Sequence, residues 1–239
     1  MPESKPPGGP GGTLADSAAA SGIATPEFIA ALLADGDDDL AAWAIGQALE
    51  ERPRSAAFDA VLRPAMELVG TRWASGQWSI SQEHLASNAL KAALARLRPD
   101  DPTDTRIGPV AVLAAPAGEE HVIGLACLAQ VFEERGWRVE NLGANVPAED
   151  LQRFVSGRTV DVVALSIGTR ARVGAVRDAV DALRAAEAGS RHVPIMVGGR
   201  GIVGVEQDLG GPDFVSTSLA DAENFIGALG KRLREGHEK

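Results

Sequence analysis

A carboxylate, an imidazole and a glycine fall close together in this chain, at Glu119, His121 and Gly124, within the segment GEEHVIGL. A short apolar run, VAVLAA, precedes them and a helix-like segment follows. That order sets His121 on the loop at the carboxyl end of a strand, where open α/β sheets bind their ligands. The same spacing also fits a plainer helix start carrying a solvated histidine. A related grouping occurs earlier, where Trp73 is followed after nine residues by Glu83 and His84 inside TRWASGQWSISQEHLAS. Glu83 and His84 stand in the first turn of a helix, whose positive end favours a carboxylate. Trp73 closes the helix before, and the short connection can bring its indole beside them. The alternative is a core tryptophan and two solvated helix-start residues.

The elements that must position these groups fall into two sets. Residues 1–24 are rich in Pro, Gly, Ser and Ala and read as a disordered tail, too short and too poor in aliphatic residues for a helix-turn-helix. Thr25-Pro26-Glu27 then supplies an N-cap, a proline at the first helical position and an acid in the first turn. Apolar spacing predicts helices from there to about Ala34, from Asp38 to Glu51, from Ala56 to Ala74 with a kink at Pro64, and from Ser79 to Leu97. The last opens on capping-box spacing, Ser79 to Gln82. Residues 25–97 thus form a four-helix bundle, and the Pro- and Asp-rich residues 98–107 form a linker.

Beyond the linker the pattern alternates strand and helix. Strands are predicted over Pro109–Ala115, Arg138–Leu142, Val160–Ile167, Val193–Val197 and Asp213–Ser216, with a closing helix from Leu219 to Leu233. Residues 108–235 are expected to form a doubly wound five-stranded parallel sheet of flavodoxin/Rossmann-like type, in the order 2-1-3-4-5. Strands one, three and four end in the His121 loop, in LSIGT (Leu165–Thr169) and in VGGRG (Val197–Gly201), so the three loops converge on one rim. Ser166, Gly168 and Thr169 lie in the second loop. Gly198 and Gly199, in the third, let the backbone approach a flat or elongated ligand or simply make a turn.

Composition excludes several classes. With 45% apolar residues the chain buries a core. The net charge of -10 is spread over both halves with no basic patch, so direct nucleic-acid binding is not expected. The lone Cys127 rules out an intramolecular disulfide framework, reads as a small buried apolar residue and fits a reduced cytoplasm. No apolar stretch approaches a membrane span, and the N-terminus lacks the order of a signal peptide. His192 and His237 read as surface residues. There is no metal-thiolate cluster, nucleophile elbow, Walker loop or Gly-x-Gly-x-x-Gly after the first strand.

Taken in order, Glu119-x-His121-x-x-Gly124, then Ser166 with Gly168 and Thr169, then Gly198-Gly199 resemble the pattern of cobalamin-binding domains, over most of residues 107–233. The resemblance implies that His121 is the lower axial ligand of cobalt and that Glu119 orients it. It further implies that the serine and the glycines line the slot for the nucleotide tail, whose dimethylbenzimidazole the histidine displaces. Gly168 departs from that pattern, which has Leu or Thr there, although Thr169 follows directly. In the bundle, Trp73 with Glu83-His84 strongly resembles the helical cap of the light-sensing cobalamin proteins that repress carotenoid genes. That likeness implies that Trp73, Glu83 and His84 cover the upper face of adenosylcobalamin, with Ile80 facing the same pocket. Those repressors place a histidine directly after the tryptophan to capture cobalt once light breaks the Co–C bond, and they carry a DNA-binding module of the mercury-resistance-regulator type. Here the first position is Ala74, and the tail stands where the module would be.

The expectation is a stand-alone cobalamin-dependent photoreceptor, not an enzyme, holding its cofactor between bundle and sheet and signalling through a protein partner, with homo-oligomerisation open. The space left by Ala74 admits a bilin of the biliverdin type as second chromophore, as in some members of the wider group. Two other classes compete. One is a corrinoid methyl carrier of a methyltransferase system, whose cap the Trp73 and Glu83-His84 pattern does not match. The other is a cobalamin-bound antirepressor.

Overall fold

The computed structural model describes residues 24–99, 108–187 and 191–237. The expected tail and linker, residue 24 and residues 98–99 apart, lie outside the described residues, as does the side chain of His237. The chain divides into two units, the first ending at Arg98 and the second starting at Pro99.

In the first unit, Thr25 caps α1 (Pro26–Asp35) by accepting the Phe28 N–H at 3.2 Å. Gly36, at φ 73°, ends the helix in the left-handed conformation that returns its N–H to the last carbonyls. Asp37 caps α2 (Asp38–Glu51). Next come α3 (Arg54–Ala57), a π-helical turn over Phe58–Leu62, and α4 (Arg63–Ala74). The kink expected at Pro64 is thus met by a wider turn directly ahead of it, which accommodates a ring that has no N–H to give and crowds the carbonyl one turn back. The predicted capping box opens α5 (Ile80–Arg96): Ser79 Oγ accepts the Gln82 N–H, and Gln82 Oε1 accepts the Ser79 N–H at 2.9 Å. Apolar positions of all these helices meet in one core, among them Ile29, Leu33, Ile45, Phe58 and Leu90.

The second unit carries β1 (Val110–Ala114), α6 (Ile123–Glu134), β2 (Arg138–Asn141), α7 (Ala148–Ser156), β3 (Val162–Ser166), α8 (Val173–Ala186), β4 (Ile195–Gly198), β5 (Phe214–Ser216) and α9 (Leu219–His237). The strands pair in parallel in the order β2-β1-β3-β4-β5, as the sequence predicted. β1 and β3 are continuous apolar runs, buried throughout, as a sheet covered on both faces requires. The edge strand β2 instead carries Arg138 and Glu140, charges that blunt an open edge. Except at β2, which starts at Arg138 as predicted, the predicted strands begin one or two residues early, because those leading residues still belong to the approach from the preceding loop.

At the amino end of the sheet, His192 is more than a solvated surface residue. It is 55% exposed, yet Nδ1 lies 3.0 Å from Glu187 and Nε2 3.0 Å from Asp213, while Arg184 bonds both carboxylates. Burial pushes these two carboxyls up. The Val193 N–H on Glu187, the Ile195 N–H on Asp213, and the His192 and Arg184 side chains outweigh it, so both lie below their ordinary values. Stabilisation from a carboxyl lowered on folding is complete above its unfolded value and is lost as pH falls through the folded one. Arg184→Ala is therefore expected to cost roughly 1–2 kcal/mol at neutral pH. In calorimetric unfolding that gap should narrow as pH falls below about 4; a gap constant with pH would assign the arginine a packing role instead.

Candidate cofactor site at the carboxyl rim of the sheet

The rim is organised by one buried carboxylate. Glu119 is 1% exposed, on the loop between β1 and α6. Its Oε1 accepts the His121 N–H at 2.9 Å and lies 2.5 Å from His121 Nδ1, while Oε2 accepts the Gly168 N–H of the loop after β3 at 2.8 Å. Burial raises the carboxyl's pKa, but the backbone and ring of His121 and the Gly168 N–H pull it down further, leaving it below its ordinary value. The ionised carboxylate holds the proton of the ring on Nδ1, which leaves Nε2 as the lone-pair nitrogen. The His121 side chain is 62% exposed.

Small residues make room around that ring. A Cβ on Gly168 would stand 2.8 Å from His121 Cγ, so the departure at this position is what lets the imidazole lie against the loop. Gly124, in the first turn of α6, approaches Ser166, whose Oγ would lie 3.4 Å from a Cβ there. Ser166 pairs with Gly198, and Gly198 with Ser216, giving a row of small residues across three strand ends on one face of the sheet. Gly199, at φ 99°, passes so close to β3 that a Cβ would meet the Ile167 carbonyl oxygen at 2.3 Å. Thr169, half-buried, offers its backbone to Gly201 in the same crossing. The sheet-side residues predicted from sequence are thus brought together on one rim.

In the first unit, Glu83 and His84 also pair, with Glu83 Oε2 2.6 Å from His84 Nδ1 and Ser87 donating to Glu83 Oε1 at 2.8 Å. Trp73 is 49% exposed and Ile80 55%. The core alternative for Trp73 does not hold: its own unit leaves half the residue uncovered. Sequence reasoning missed Asn145. This residue of the loop between β2 and α7 accepts the Gly118 N–H on Oδ1 at 2.7 Å and donates its own N–H to the Glu119 carbonyl at 3.0 Å. A glycine and an asparagine within three residues after a strand, Gly143 and Asn145, signal a turn and no more.

Among the described residues no group of three or more His, Cys, Asp or Glu side chains could hold a metal ion. A single oriented imidazole suits a metal that brings its other ligands with it, and the small-residue row beside it suits an elongated appendage. These features fit a corrinoid. Comparison with known proteins agrees: residues 109–226 match the B12 binding domain family, and residues 27–98 match a second family also described as B12 binding domain. The fold and the rim define a corrinoid-binding architecture. The chain belongs to the cobalamin-binding proteins.

The chain is 38% identical over 156 residues to the HTH-type transcriptional repressor CarH of Myxococcus xanthus, covering 65% of this chain and 50% of that one. To the repressor CarA of the same organism it is 37% identical over 183 residues, covering 76% and 59%. The chain thus spans little more than half the length of these relatives. The monomethylamine corrinoid protein of Methanosarcina barkeri shares the fold, at TM-score 0.67 and 18% identity over 84% of this chain and 96% of that one.

The two glycine contacts predict different readouts. At Gly168 a Cβ would meet the Cβ, Cγ and Nδ1 of His121 within 2.9 Å, the root of a side chain that Glu119 holds, so Gly168→Ala should shift the His121 imidazole resonances and also destabilise the fold. At Gly199 the obstacle is backbone and φ is positive, so Gly199→Ala should cost roughly 2 kcal/mol or more in denaturant unfolding and leave those resonances in place. Unshifted resonances in Gly168→Ala would show that the ring does not lie against this loop.

Proposed function

We propose that this protein is a light sensor whose chromophore is adenosylcobalamin, and that it signals through a protein partner. The observation that carries the reading is the half-exposed Trp73 together with Glu83-His84 in the bundle, the grouping that resembles the cap of light-sensing cobalamin repressors. Identity to the two Myxococcus xanthus repressors supports it. When bound, adenosylcobalamin supplies a cobalt–carbon bond that light can break. His121 would hold the cobalt through Nε2, with Glu119 fixing the tautomer, and Ser166, Gly198 and Gly199, with Gly124, Gly168 and Thr169 beside them, would accommodate the nucleotide tail. Trp73 and Ile80 would pack against the adenosyl group, with the polar Glu83 and His84 beside them, and that contact would be lost with the group. Loss of it changes what surface the bundle offers, and so the partner it binds. Residues 25–97 act as the cap and residues 108–235 as the cofactor domain, in the cytoplasm and without chemistry on a substrate.

The test is the absorption spectrum of protein loaded with adenosylcobalamin, before and after green light. A light-dependent change that persists in the dark is expected. A photostable protein that instead passes methyl groups to a substrate in darkness would replace the reading by that of a corrinoid methyl carrier. His121→Ala should weaken cobalamin binding and remove the signature of protein nitrogen on cobalt. Trp73→Ala should lower affinity for adenosylcobalamin more than for hydroxocobalamin; equal losses would point to general damage to the bundle.

Ala74 cannot coordinate cobalt, so the illuminated protein should not form a stable bis-histidine adduct through this position. We further propose a biliverdin-type bilin as second chromophore at this position, where the resembling repressors carry a histidine. Protein co-produced with biliverdin should then absorb in the red, and absence of a red band would remove the bilin while leaving the cobalamin sensor intact.

A further inference from the structure

The loop that carries Glu119 and His121 has one backbone bond of its own, from the Glu119 N–H to the Pro116 carbonyl at 2.9 Å, and is otherwise held from outside. Its outer side is tied to the loop between β2 and α7, which continues the β1–β2 ladder past the end of the sheet. Leu142 donates to Leu113 at 2.8 Å, Ala115 to Gly143 at 2.8 Å, and Val146 back to Ala115 at 2.9 Å. The last two ties flank Asn145. Its backbone N–H reaches the Glu119 carbonyl and its side-chain Oδ1 takes the Gly118 N–H. To make both bonds Asn145 adopts φ 56°, and it is the one non-glycine with positive φ among the described residues. Left-handed backbone disfavours L side chains, Asn less than most, so the surrounding contacts must hold it there.

We infer that Asn145 is a positioning residue for the cofactor site: by holding the backbone at Gly118 and Glu119 from outside, it aims the Glu119 carboxylate so that one oxygen serves His121 and the other Gly168. The inference deepens the cobalamin reading above, yet its first consequence concerns the protein without cofactor. Glu119 has no freedom to meet three donors on two loops unless the peptide before it is fixed. Gly118, at φ 75°, can bend to many conformations, and the hydrogen bond from its N–H to Asn145 selects one.

Three variants separate the side chain's bond from the backbone's bend. Asn145→Gly keeps φ positive at no strain and loses only Oδ1, so the fold is retained. Asn145→Asp keeps an acceptor at the same place. Asn145→Ala loses the acceptor and keeps the strain. In cofactor-free protein, amide exchange at Gly118 and Glu119 should rise about tenfold in Asn145→Gly and stay near wild type in Asn145→Asp. The ¹⁵N resonances of His121 should move from one fixed tautomer toward a mixture in the first variant and not in the second. Hydroxocobalamin affinity should fall about tenfold in Asn145→Gly and recover in Asn145→Asp. Unchanged exchange and an unchanged tautomer in both Asn145→Gly and Asn145→Ala would overturn the inference. If wild-type protein fails to bind hydroxocobalamin, the cobalamin reading falls, while the exchange and tautomer measurements still decide the role of Asn145.

Discussion

A carboxylate with 1% exposure is unstable as a charge unless donors surround it, and the rim of this sheet is built around meeting that condition at Glu119. Hydrogen bonds to an ionised group are each worth roughly 1.5–3 kcal/mol, and Glu119 takes two from backbone N–H groups and one from an imidazole. Together they outweigh its desolvation, which is why the group stays ionised. The consequence is structural before it is functional. The loop after β1 and the loop after β3 are joined through a side chain, so the position of His121 is referred to the sheet rather than to its own flexible loop.

The glycines at the rim follow from the same crowding. Parallel strands bring successive loops out at one end, and here the backbones of the β3 and β4 loops cross at hydrogen-bond range: the Ile167 N–H donates to Gly198 and the Gly201 N–H donates to Ile167. A side chain on Gly199 or Gly201 would enter that crossing, whereas one on Gly168 would enter the space of the imidazole. What a sequence motif presents as a set of equivalent small residues therefore divides into positions that let the chain close and a position that lets the His121 ring lie down.

That division explains how much was legible beforehand. The sheet and its order could be read because β1 and β3 are unbroken apolar runs between helices, a pattern with few topological solutions. The helix starts at Thr25 and Ser79 could be read because a cap is a local event. The π turn before Pro64 could not, since it is a compromise between that proline and the packing of Phe58, Val61 and Leu62 in the bundle core. At the rim, the types Glu119 and His121 were readable, but Gly168 as a hydrogen-bond donor was not, because any residue but proline has a backbone N–H. Asn145 was invisible for a related reason: its partners lie on another loop, and its own neighbours, Ala144 and Val146, carry no signal.

Of the Glu–His pairs among the described residues, those at Glu119–His121 and Glu83–His84 are not physically equivalent. In each, a carboxylate oxygen lies within hydrogen-bond range of Nδ1, at 2.5 Å for Glu119–His121 and 2.6 Å for Glu83–His84. Glu119 is buried and bonded to backbone on two loops. Glu83 keeps about a quarter of its side chain in solvent and is steadied by the hydroxyl of Ser87, one turn along its own helix. An anchor to backbone moves only when the fold moves, but an anchor to a hydroxyl is lost with one rotamer change. His121 is accordingly a fixed imidazole, while His84, 67% exposed, can leave its carboxylate at little cost. The same two side-chain types thus give a fixed ring in one unit and a releasable one in the other, through burial and through what else each carboxylate bonds.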